Sequence, residues 1–204
     1  AGLCMASPIS QTGSGAAGAR MNEPAFFGYG SLVNLATHRY GDPRPAVLHG
    51  WRRVWQRTAL RKAAYLSVTP CAQTVLHGVV ARVPNADWAA LDLREAAYQR
   101  HDVTGTISHE GQAAPTAVYQ VRPEHIAKDS DHPILLSYVD VVVQGYLAMY
   151  GHAGVAHFFA TTDGWDTTIL DDRDDPVYPR HQTLSIEERA LVDQHLAAVM
   201  QQAE

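Results

Sequence analysis

The hydrophobic and polar positions of this chain change period several times, and each change marks an element. Val75, His77, Val79 and Ala81 alternate with Leu76, Gly78, Val80 and Arg82 in a β-branched stretch, which predicts a strand over 74–83. Apolar or alternating runs predict further strands at 25–27, 46–58, 65–70, 101–108 and 114–122. The run at 46–58 reads as one long strand or two with a bend at Gly50, and the last pair is joined by a turn at 109–112. Asp42-Pro43-Arg44-Pro45 predicts a turn or extended loop, and a short helix start falls at 34–39.

Helical spacing takes over after Pro84. With Asn85 as N-cap, a helix to about Arg100 puts Trp88, Leu91, Glu95 and Tyr98 on one arc. Ala86, Ala90, Leu93 and Ala97 fall on the opposite side, which predicts a helix apolar on two sides and well buried. Leu135, Tyr138, Val142 and Tyr146 predict a second helix over 134–150, with Gly151 as its stop and a short helix over 153–161. A long loop with an acidic run spans 163–180, and Ser185 caps a final helix over 186–201. Strands and helices are mixed without an internal repeat, so 23–204 reads as one α+β domain. Residues 1–22 are rich in Ala, Gly and Ser without period, and read as a disordered or added tail with Met21 as a candidate natural start.

Composition narrows the partners. Hydrophobic residues make up 46% of the 204, enough for a sizeable core and too many for disorder. A net charge of −5 argues against a general nucleic-acid binder, and Arg52, Arg53, Arg57, Arg61 and Lys62 read as solvated strand faces. Cys4 and Cys71 make no disulfide framework, so a reducing, cytoplasmic setting is expected. The longest apolar stretch, 138–149, is broken by Asp140, Gln144 and Gly145, so no membrane association is expected.

Two features could carry chemistry. Gly28-Tyr29-Gly30-Ser31 follows the first strand, and two glycines let successive backbone N–H groups converge on an anion. Val33 stands where a dinucleotide fingerprint needs glycine, and Ser31 lacks the flanking glycines of a nucleophile elbow. A tight structural turn is the bland alternative. The second feature is Glu95, a carboxylate where the helical pattern asks for an apolar residue. It either pairs with Arg94 or Arg100, snorkels to solvent, or has a raised pKa suited to acid–base work. The 11 histidines show no metal-ligand spacing, and the acidic run at 171–175 lacks a calcium-loop pattern; its internal Arg173 points to a salt-bridged loop.

The ordered set Phe27-Gly28-Tyr29-Gly30-Ser31-Leu32, then Leu91-Asp92-Leu93-Arg94-Glu95, then Ser137-Tyr138 with Gly145, resembles the gamma-glutamylcyclotransferase family over 25–151. The resemblance implies an α+β fold with a small, strongly curved, barrel-like mixed sheet flanked by helices, and the final helix as a C-terminal extension. It implies cleavage of a γ-glutamyl amide by the substrate's own α-amino group, releasing 5-oxoproline and an amine or amino acid, with no metal or organic cofactor. Glu95 would be the general acid/base. Tyr29, Gly30, Ser31, Leu32, Val33, Asn34 and Tyr138 would bind substrate, with Tyr98, Tyr178 and Arg180 as further candidate contacts. Leu32 stands where the family often has Asn, and Val33-Asn34 where glutathione-specific members often have Trp, so glutathione specificity is not implied. The expected partner is a small γ-glutamyl molecule, bound to a monomer or homodimer. The alternative is a non-catalytic protein of the same fold that binds a small acidic metabolite or a partner.

Overall fold

The computed structural model describes residues 23–111, 114–127 and 129–203. The expected tail at 1–22, Cys4 and part of the 109–112 turn lie outside the described residues.

The architecture starts from one long hairpin. Strands β2 (Gly41–Arg57) and β3 (Ala64–Arg82) pair antiparallel, with a register shift between His49 and Trp51. There Gly50 takes φ +83°, a conformation that favours glycine, and the ladder bends. β1 (Ala25–Gly28) runs antiparallel to β3 and parallel to β6 (Thr116–Val121). With β4 (Tyr98–Asp102) and β5 (Ile107–His109), the order is β4-β6-β1-β3-β2-β5, an open, curved mixed sheet. β7 (Ile134–Leu135) and β9 (Ile169–Leu170) form a separate parallel pair, and β8 (Thr162–Asp163) joins β2.

The strand period of two divides the core between the sheet's faces. Phe27 points to the larger cluster with Leu48, Leu66, Val68, Val142, Val143, Tyr146 and Phe158. This cluster buries α2 (Leu136–Ala160) and, through Val192 and Leu196, α3 (Ile186–Ala203). Phe26 points the other way, to Leu32, Leu91 and Tyr119, where α1 (Trp88–Arg94) packs. No helix among the described residues is long and apolar enough to cross a membrane.

The α+β class, the bend at Gly50, the stop at Gly151 and the cap at Ser185 match the expectations. Gly151 (φ +65°) breaks α2, and Ser185 and Glu188 exchange hydrogen bonds as a capping box.

Several elements differ. The strands expected at 65–70 and 74–83 are one strand, β3, which pairs with β2 on both sides of the register shift opposite Gly50. Asp42-Pro43-Arg44-Pro45 lies within β2, where the register shift between Gly41 and Arg44 accommodates Pro43 and Pro45 stands opposite Val79. The helix expected over 34–39 is two single 3₁₀ turns, Ser31–Val33 and Leu35–Thr37. The run 101–108 is split by a turn between β4 and β5.

The helix of Glu95 is capped by Asp87 rather than Asn85, and it ends at Arg94 rather than Arg100. Tyr98 onward is drawn into the ladder with β6. Its second apolar side faces solvent, with Leu93 80% exposed, so the expected two-sided burial does not occur.

Candidate active site

The turn after β1 is built by close approach. The Val33 and Asn34 N–H groups donate to the Gly30 and Ser31 carbonyls, closing the first 3₁₀ turn. A Cβ on Gly30 would stand 2.5 Å from the Tyr138 hydroxyl, and one on Gly145 of α2 would stand 2.6 Å from the Asn34 nitrogen. Both positions need glycine for the turn and α2 to pack this tightly.

Leu32 and Val33 bury their side chains in the two core clusters, and Asn34 donates to the Val141 carbonyl and Gln144 Oε1. These three side chains therefore anchor the turn. The Gly30 N–H has no acceptor among the described residues, and the Ser31 N–H reaches the Tyr138 hydroxyl at 3.4 Å, a long contact. Two successive amides thus stand available to an anion.

Glu95 sits at the C-terminal end of α1 with its side chain 17% exposed, 3.2 Å from Arg94 Nε. The pairing with Arg94 and the raised pKa therefore coexist. Burial lifts the carboxyl above the ordinary glutamate range, against the charges of Arg94 and Arg180 and the hydrogen bond from Arg94. Glu95 lies within electrostatic reach of four tyrosines. Burial first, and the Glu95 charge among the further causes, push up the hydroxyls of Tyr29, Tyr98, Tyr119 and Tyr138. Tyr29 donates to the Tyr119 carbonyl at 2.7 Å and Tyr98 to the Leu66 carbonyl at 3.1 Å, so both are fixed in place.

The 171–180 loop closes on the same place. Asp172 accepts from the Ser137 N–H at 2.7 Å and its hydroxyl at 2.5 Å, capping α2 from outside the helix. Arg173 forks onto Asp140 at 2.7 and 2.8 Å and reaches Asp193 at 2.8 Å, the salt-bridged loop expected. Tyr178 then lies edge-on to Tyr138, ring centroids 4.9 Å apart. The exposed Arg180 guanidinium has no hydrogen-bonded or ion-paired partner among the described residues, yet its charge acts on Glu95.

One residue overturns its sequence reading. Arg53, expected on a solvated strand face, is 0% exposed. It shares the core-facing period of β2 with Trp55, an alternation that could have revealed it. Asp172 was also missed, since its partner Ser137 is distant in sequence. Among the described residues no cluster of His, Cys, Asp and Glu could hold a metal ion. Two surface hollows of about 560 and 460 Å³ are lined by Pro123, Ile126 and Ser130 and by Asp92, Tyr98 and Arg100; neither is lined by Glu95 or the turn.

Known proteins share this fold. The profile of the family described as "Gamma-glutamyl cyclotransferase, AIG2-like" matches residues 26–138. Among solved structures, one titled "Gamma-glutamyl cyclotransferase" is 13% identical, with 85% of this chain and 99% of that one covered at a TM-score of 0.55. The human protein loc79017 is 14% identical over 83% and 97%, at 0.54. YkqA from Bacillus subtilis is 19% identical at 0.53, and the match spans 70% of this chain but only 56% of YkqA. At these identities the structures show a shared fold. No curated protein matches.

Proposed function

Because the chain belongs to the gamma-glutamyl cyclotransferase, AIG2-like family, we propose that it cleaves a γ-glutamyl amide by intramolecular attack, releasing 5-oxoproline and an amine or amino acid. The observation that carries this reading is the largely buried Glu95 carboxyl, raised by burial and within electrostatic reach of Tyr29 of the glycine turn, Tyr98 and Tyr138.

The substrate's α-amine bonds to its γ-carbonyl carbon, and the C–N bond to the leaving group breaks. The attacking ammonium sheds two protons in becoming a lactam N–H, and the leaving nitrogen gains two in becoming an ammonium. Glu95 carries them across, one at a time. Nucleophile and carbonyl belong to one molecule, so the protein's main task is to hold the chain curled for five-membered closure. The Gly30 and Ser31 amides receive the substrate's carboxylate or oxyanion, and Tyr138, now resting on Ser31, turns its hydroxyl to the glutamyl group. Leu32, Val33 and Asn34 hold the turn, and Tyr98 fixes the wall facing Glu95. Tyr178 and Arg180 line the side where the leaving group departs, and the expected setting is cytoplasmic.

The test is Glu95→Gln assayed on a panel of γ-glutamyl amines and dipeptides. Loss of at least ~100-fold in 5-oxoproline release with the fold intact is expected, the usual worth of a positioned acid/base. Turnover near the wild-type level in this variant would falsify the proton-carrying role. Release from no member of the panel by the wild-type protein would favour a binding protein of the same fold.

A further inference from the structure

A buried charge normally has a partner of opposite sign, and Arg53 has none. Its Nε donates to the Tyr29 carbonyl at 3.0 Å, its Nη1 to the Thr161 hydroxyl at 2.6 Å, and its Nη2 to the His77 carbonyl at 2.5 Å and to the Tyr146 hydroxyl. No carboxylate among the described residues pairs with it. The neighbouring imidazoles do not alter the count. Burial and the Arg53 charge hold His77 below its ordinary value, and burial, His77 and Arg53 bring His157 down to about 4. The buried cluster behind the turn therefore carries one fixed positive charge, that of Arg53.

The peptide between Tyr29 and Gly30 transmits it. In a planar trans peptide the C=O and the next N–H point in opposite directions. Arg53 and Tyr146 both hold the Tyr29 oxygen, the latter at 3.0 Å, so the Gly30 N–H is turned away from them, and it is the amide left without an acceptor. We propose that Arg53 is a positioning residue. It aims and charges the Gly30 amide, and its missing counter-ion is the permanent α-carboxylate of the bound glutamyl group rather than a transient oxyanion. This rests on the cyclotransferase reading. A transient anion would leave a permanent buried cation uncompensated for most of the binding event, whereas a carboxylate neutralises the cluster as soon as substrate arrives.

The test uses two lactams that differ only in that carboxylate, 5-oxoproline and 2-pyrrolidinone, titrated calorimetrically into the wild-type protein, Arg53→Met and Tyr146→Phe. Wild type should prefer 5-oxoproline by about 10- to 100-fold, the worth of a charge-assisted contact. In Arg53→Met the preference should fall to about 3-fold or less while 2-pyrrolidinone binding holds. A merely structural Arg53 would weaken both lactams together, and a preference that survives the substitution overturns the proposal. Should Arg53→Met fail to fold, Tyr146→Phe decides. It keeps the ring stacked on Phe158 but frees one hold on the Tyr29 oxygen, so the preference should shrink several-fold, and an unchanged preference overturns the proposal. Wild-type protein that binds neither lactam sinks the cyclotransferase reading as well; binding without carboxylate preference sinks the Arg53 proposal alone.

Discussion

At the scale of single residues, the working pH of Glu95 is set by a contest between burial and two guanidiniums. Burial wins, and the carboxyl lies above its ordinary value. As a base it must be ionised, so kcat/KM should rise with pH on a limb displaced above the ordinary glutamate range. Removing a cation lets burial act with less opposition. Arg180→Gln should therefore move that limb to higher pH, visible in a pH–rate profile. It should also raise KM more for a γ-glutamyl dipeptide, whose leaving group carries a carboxylate, than for an uncharged γ-glutamyl amine. Equal KM changes for both substrates would remove the leaving-group role. The burial of Glu95 was legible in sequence because an acid stood on an apolar arc, although the helix that supplied the arc stops at Arg94. Arg53 was not legible in the same way. It sat among other basic residues, and only the inward phase of Trp55 separates it from Arg52, which pairs with Asp163 at the surface.

At the scale of elements, α2 has no cap from its own sequence, and Leu135 at its N-terminus offers no polar side chain. The cap comes from Asp172, 35 residues beyond Ser137, which also accepts from the Val177 N–H at 2.9 Å. Burial pushes the Asp172 carboxyl up, but the hydrogen bonds from Ser137 and Val177 prevail and hold it below its ordinary value. Asp172→Ala should cost about 1–2 kcal/mol of stability, the worth of a lost N-cap, measured by denaturant unfolding. It should also raise KM, because Tyr138 lies one residue beyond the capped Ser137 and Tyr178 reaches the same residue. Unchanged KM in the folded variant would separate the cap from the site. Contacts of this kind explain what the sequence left hidden. Local period identified the β-strands at 25–27 and 46–58, the break at Gly151 and the final helix. It missed the length of β3 and the start of β4, where a distant partner strand decides the conformation.

At the scale of the whole molecule, the two halves of the fold meet on stacked imidazoles. His77 of β3 and His157, beyond the break in α2, lie 4.0 Å apart between ring centroids, and Tyr150 also stacks with His77. Burial, His77 and Arg53 lower His157 from 6.5 to about 4 in the native state. Between those values the unfolded chain binds a proton that the native protein refuses, so stability must fall as pH drops from 6.5 toward 4. Glu95 acts with the opposite sign. Its raised native pKa makes the folded state hold more protons just above the ordinary glutamate value, so that its contribution falls as pH rises through that window. The two can be separated in a Glu95→Gln background, where the melting temperature should still decline from pH 6.5 to 4, and His157→Gln should flatten the decline. If the slope persists without the imidazole, the acid sensitivity lies elsewhere. If it disappears, the imidazole stack sets the pH range over which sheet and helix stay joined.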